Sequence, residues 1–198
     1  LILGRASRDL IRQSSETLAG RVGYVELSPF SFNEIKDDEE KLWMRGGFPR
    51  SFLAETDEKS YLWRKNYIST FLERDIPLLG FTIPPEQMRR FWLMLAHYHG
   101  NIFNASELGK SLGISDHTAR RYLDILAGTF MVRSLPPWFE NLQKRQVKSP
   151  KIYFRDSGIL HALIGIRTHE DLQTYPRLGS FWEGFALEET ICTLKVAS

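Results

Sequence analysis

Cysteine occurs once in the 198 residues, at Cys192, so a disulfide framework within the chain is excluded. Thiol scarcity of this kind fits a reducing compartment, and the cytoplasm is the expected location. No apolar run approaches the roughly 20 residues that cross a bilayer, and no membrane partner is expected. Leu1 to Leu3 is too short for a signal peptide and lacks a cleavage site. Charge of one sign is lacking too: 26 basic against 24 acidic residues leave a net +2, which does not by itself mark a nucleic-acid binder. There is no Gly-x-x-x-x-Gly-Lys-Ser/Thr loop to cradle phosphates, and no apolar strand ending in paired acids to hold Mg²⁺. Metal-ligand spacing is also missing. His97 and His99 point in different directions on a helix, and His117, His161 and His169 have no second ligand nearby in sequence, so no metal site is expected. The chain opens on Leu1-Ile2-Leu3 without a Met, and the true N-terminus is expected upstream.

Apolar residues are plentiful at 42%, with five Trp and thirteen Phe, enough for a packed core. The balanced total also hides a local bias. Between Arg133 and Arg155 stand Arg133, Lys144, Arg145, Lys148, Lys151 and Arg155 against Glu140 alone, a stripe able to attract phosphate.

The hydrophobic pattern predicts a mainly α (α+β) fold. Leu1 to Leu3, a helix over about Arg8 to Ala19 and Val22 to Leu27 read as strand, helix, strand, one unit of a parallel α/β sheet. Glu34 to Glu40 is an acidic, solvated stretch. Gly46-Gly47-Phe48-Pro49 breaks two short helical pieces. Lys59 to Asp75 reads as a helix that Pro77 should stop. Pro85 opens an amphipathic helix on which Met88, Phe91, Trp92, Leu95 and His99 share one side. Asn104 and Ser115 are placed to cap two short helices around Gly113. Strand-like runs follow at Phe130 to Leu135 and Lys151 to Phe154, then a helix over Asp156 to Ile164, a loop, and an apolar helix over Phe181 to Leu194 that carries Glu183, Glu188 and Glu189.

Helix, helix, turn, helix, strand, loop, strand is the order of a winged helix-turn-helix. In its second short helix Ala119, Tyr122, Leu123 and Leu126 form the inward stripe, leaving Asp116, His117, Arg120, Arg121 and Asp124 outward. Arginines so placed can contact phosphates or guanine edges. The candidate nucleic-acid-binding residues are therefore His117, Arg120, Arg121, Lys144, Arg145, Lys148 and Lys151. The same pattern also serves protein-docking modules, and Asp116 and Asp124 would repel phosphate.

Several segments together resemble a family of prokaryotic AAA-type ATPases in which the ATPase core precedes a winged helix and a nuclease-like C-terminal domain of unknown function. They are Leu3-Gly4-Arg5-Ala6-Ser7, Val25-Glu26-Leu27-Ser28-Pro29-Phe30, Gly46-Gly47-Phe48-Pro49, Tyr67 to Ile76, Lys148 to Gly158, and Trp182-Glu183-Gly184-Phe185. The resemblance implies an ATPase-core end over residues 1–33, a helical lid over 34–80, a winged helix over 81–165 and the start of a C-terminal domain over 166–198. It implies nucleotide-proximal roles for Arg5, Ser7, Arg45, Arg50 and Arg74, although Arg5 stands where that family has a small polar residue. It also implies ATP and Mg²⁺ in a longer protein, with no cofactor and no hydrolysis in this chain alone. The function expected from it is a lid and winged-helix segment under the control of ATP bound upstream. A stand-alone DNA-binding regulator and a protein-interaction scaffold are the alternatives, and the expected partners are double-stranded DNA, a protein partner or further copies of the chain.

Overall fold

The computed structural model describes residues 27–35, 38–137 and 149–194. Among them the chain is mainly helical with one two-stranded antiparallel sheet. The helices are α1 (Glu39–Arg45), α2 (Pro49–Phe52), α3 (Asp57–Thr70), α4 (Ile76–Leu78), α5 (Pro85–His97), α6 (Ala105–Leu112), α7 (Asp116–Gly128), α8 (Ser157–Ile164), α9 (His169–Gln173) and α10 (Leu178–Leu194). The strands are β1 (Val132–Leu135) and β2 (Lys151–Phe154). The α/β unit expected at the start of the chain lies almost entirely outside the described residues.

Pro77 does not stop its helix. A single π-helical turn, Phe71–Asp75, links α3 to α4, and the Ile76 N–H donates to the Phe71 carbonyl five residues back. The physical reason is the proline ring: it has no N–H for the carbonyl of Glu73, and it clashes there in an α-helix. Widening the turn by one residue makes room for it. Phe71, Leu72 and Ile76 stay buried on both sides of the junction. The stretch expected as one loop between Gly165 and Gly179 also contains α9, closed at its start by a reciprocal capping box between Thr168 and Asp171.

One apolar core runs from Met44 through α3, α5, α7 and the strands to Phe181. α5 passes through its middle, with Met88, Phe91, Trp92 and Leu95 buried on the side that the spacing selects, and with His99 buried just past its end. Each such large apolar side chain contributes roughly 1.5–3 kcal/mol by leaving water. Phe91 meets Tyr122 of α7 edge to face, and Trp92 stacks on Phe154 of β2.

A buried polar knot ties α1 and α2 to α8. Asp156 caps α8 by accepting the Ile159 N–H on Oδ1 at 2.8 Å, and its Oδ2 accepts the Gly47 N–H at 2.8 Å. Arg64 of α3 is fully buried and donates to the carbonyls of Met44 at 3.2 Å and Gly158 at 3.0 Å. Burial pushes the Arg64 guanidinium down to about 10 and lifts the Asp156 carboxyl, while the N–H groups of Ile159 and Gly47 and the charge of Arg64 pull Asp156 back.

Candidate nucleic-acid interface

Helices α6 and α7 are set by their caps and by one glycine. The Asn104 side chain accepts the Glu107 N–H at 3.2 Å, and that of Ser115 accepts the Thr118 N–H at 3.0 Å. Between the helices Gly113 adopts φ +68°, a left-handed conformation that admits glycine without a Cβ clash. The Ile114 N–H returns to the Gly109 carbonyl at 2.9 Å and closes the turn. Ala119, Tyr122, Leu123, Ile125 and Leu126 then face the core. Tyr122 also donates its hydroxyl to Gln87 of α5 at 3.0 Å, which fixes the rotation of α7 about its axis.

That rotation leaves Asp116, His117, Arg120, Arg121 and Asp124 exposed along the opposite side. Arg120 and Arg121 have no ion-pair partner among the described residues, and Lys110 of α6 is exposed as well. Partial desolvation on α7 raises the Asp124 carboxyl pKa, and the charge of Arg120 acts against that rise.

The strands follow α7 directly. Val132 pairs with Phe154, Arg133 with Tyr153, Ser134 with Ile152 and Leu135 with Lys151, and Ile102 adds an antiparallel bridge to Lys151. Their cations are not open. Arg133 meets Glu188 of α10 through Nε at 2.5 Å and Nη2 at 3.0 Å, and Arg155 reaches the same carboxylate at 3.6 Å. Lys151 meets Glu183 at 3.3 Å, and the hydroxyl of Tyr153 donates to Glu183 at 2.5 Å. The Tyr153 hydrogen bond, with Lys151 beside it, holds the Glu183 carboxyl below its usual range. Lys144, Arg145 and Lys148 lie outside the described residues.

The remaining predicted site residues do not gather at one place. Arg45 is buried and paired with Asp57 at 2.7 Å, and it also donates to the Phe52 and Ala54 carbonyls. It therefore ties the end of α1 to the connection between α2 and α3 and does not face solvent. Arg50 is exposed on α2, and Arg74 is exposed at an open groove beside the π-turn with Thr70 and Leu78. Arg5 and Ser7 lie outside the described residues. A cavity under α10, lined by His99, Asp156 and Glu188, has about 30 Å³. A water or two fill such a space, whereas small-molecule sites take roughly 300–1,000 Å³.

A family model, Domain of unknown function (DUF8612), matches residues 36–170, more than half of the chain. The chain belongs to this family. The DUF8612 span holds the polar knot, α6, α7 and both strands, and it ends before α10. Among curated proteins, Uncharacterized protein Rv2008c of Mycobacterium tuberculosis and Uncharacterized protein Mb2031c of Mycobacterium bovis are each 52% identical over 195 residues, covering 98% of this chain. The chain spans 44% of the length of each. No solved structure matches it.

These matches correct the resemblance to AAA-type ATPases. The family that matches is DUF8612, whose function is unknown, the relatives are uncharacterized, and no AAA-type ATPase family matches. The nucleotide-proximal reading of Arg5, Ser7, Arg45, Arg50 and Arg74 rested on that resemblance.

Sequence reasoning missed the acids of α10 as partners of the strand cations. A signal was present. Glutamates on an otherwise apolar helix rarely become buried without an opposite charge, and Glu188 is 6% exposed.

Proposed function

We propose that α5, α6, α7 and the β1–β2 pair form a winged helix-turn-helix that binds double-stranded DNA, with α7 entering the major groove. His117, Arg120 and Arg121 contact phosphates or base edges. The observation that carries this reading is the exposed side of α7, where two adjacent arginines form no ion pair among the described residues, on a helix whose opposite side is locked into the core. Helix order and the hairpin after α7 support it. An arginine at a base edge or phosphate contributes salt-dependent affinity that a solvated arginine does not.

The test is fluorescence anisotropy of the full-length protein with a labelled duplex over a salt series. Duplex binding is expected at low salt. The pair Arg120→Ala and Arg121→Ala should weaken it at least about tenfold and flatten the dependence of log K on log salt by about 0.9 for each phosphate that is no longer neutralised. Binding that ignores both substitutions, or no binding at low salt, would falsify the reading. The second result favours a protein-docking module, for which Asp116 and Asp124 on the same side of α7 already speak.

A further inference from the structure

The cations that the described part of the strand pair presents, Arg133, Lys151 and Arg155, are all met by two glutamates of a single helix. Glu188 takes the two arginines in a nearly enclosed setting, with the three side chains between 8% and 13% exposed. Such an arrangement holds α10 to the sheet. Glu183 differs. It and Lys151 are each about half exposed, so their pair lies at the surface where a phosphate could reach it. A surface pair is ordinarily loose, because two long side chains lose rotamer freedom to form it. Here Glu183 is already fixed by the Tyr153 hydroxyl at 2.5 Å, and the Tyr153 ring is buried against the His99 ring. The carboxylate therefore waits beside Lys151 in a set position.

Lys151 also stands beside the start of α6. It bridges Ile102, and the Phe103 N–H donates to the carbonyl of Pro150 at 2.8 Å, one residue ahead of the Asn104 cap. In a helix-turn-helix the first helix of the pair crosses the nucleic-acid backbone. Lys151 is thus placed where phosphates would pass, with its charge already answered from within the chain.

Resting on the DNA-binding reading of α7, we infer that Glu183 is a built-in competitor for phosphate at Lys151, so that α10 lowers duplex affinity while it is docked on the sheet. Displacing Glu183 frees one cation for one phosphate. The acid acts through charge and position, and no bond is made or broken.

A double-substitution cycle on the full-length protein tests this, with duplex affinity and its salt slope as the readout and thermal unfolding as the check on folding. Lys151→Gln alone should leave affinity and slope near those of the parent protein, because Lys151 is silenced there. Glu183→Gln should raise affinity on the order of five-fold at about 0.1 M salt and steepen the slope by about 0.9, the increment for one neutralised phosphate. Glu183→Gln combined with Lys151→Gln should return both to the parent values. A gain that survives in the combined variant means general repulsion and overturns the inference, as does no gain in Glu183→Gln or a loss in Lys151→Gln alone. If the parent binds duplex through Arg120 and Arg121 and the cycle fails, only this inference falls. If the parent does not bind duplex at all, the reading of α7 falls and takes this inference with it.

Discussion

Phe130 has φ +62°, the one positive value outside glycine among the described residues. It sits just past α7, where the Phe130 N–H returns to Ala127 and the Met131 N–H to Leu126, the bond pattern that usually ends a helix on glycine. A side chain there costs about 1–2 kcal/mol. The ring offsets part of this cost by lying under the Arg155 guanidinium, 5.2 Å from its centroid. The prediction is an inversion of the ordinary order. Phe130→Gly should be more stable than Phe130→Ala by about 1 kcal/mol in urea unfolding, because alanine loses the ring and keeps the strain. Alanine equal to or better than glycine would show that the left-handed backbone is not held.

At the scale of elements, the turn between α1 and α2 and the start of α8 touch backbone to backbone. A Cβ at Gly158 would overlap the Arg45 carbonyl, which belongs to the main chain and cannot swing aside. Gly158→Ala is therefore expected to cost about 3 kcal/mol, at the upper end for overpacking, and circular dichroism during urea unfolding would register it as a lower midpoint. A cost under about 1 kcal/mol would mean that this contact yields easily. Local signals were legible here in different degrees. The caps Asn104 and Ser115, the buried stripe of α5 and the outward residues of α7 follow from spacing alone, because period and cap chemistry are properties of neighbours in sequence. The π-turn was not legible, since proline forbids the α bond at that position without saying whether the chain leaves the helix or widens it. Packing of Phe71 and Ile76 on the same core decides that. The pairing of Lys151 with Glu183 joins residues 32 apart, a separation that a stripe of basic residues in sequence cannot reveal.

For the whole molecule, two histidines are sealed neutral inside the core. Burial pushes His99 from 6.5 down to about 4 and His161 from 6.5 down to about 3. His99 accepts the Phe154 N–H through Nδ1 at 3.0 Å, which needs the unprotonated nitrogen. A folded value below the unfolded one means that the unfolded chain binds more protons between the two, so stability falls as pH drops from about 6.5 toward those values. From about pH 7 to about pH 5 the loss should be on the order of 2 kcal/mol for each histidine. Asp156 has the opposite sign, because burial lifts its carboxyl and protonation favours the folded form, and it offsets part of the loss at the acid end. Thermal unfolding across this range should show a falling midpoint. A flat profile would contradict the sealed, neutral histidines.

The carboxylate of Asp156 serves two helix beginnings, at Gly47 and at Ile159, that lie 112 residues apart in the chain. A piece that stops before Asp156 keeps the Gly47 N–H and loses its acceptor, and one that starts after α2 keeps Asp156 and loses Gly47, so this part of the molecule cannot travel between genes as a free-standing cassette. Any transplant has to carry the ground from α1 through α8, and the DUF8612 boundaries at 36 and 170 enclose that stretch.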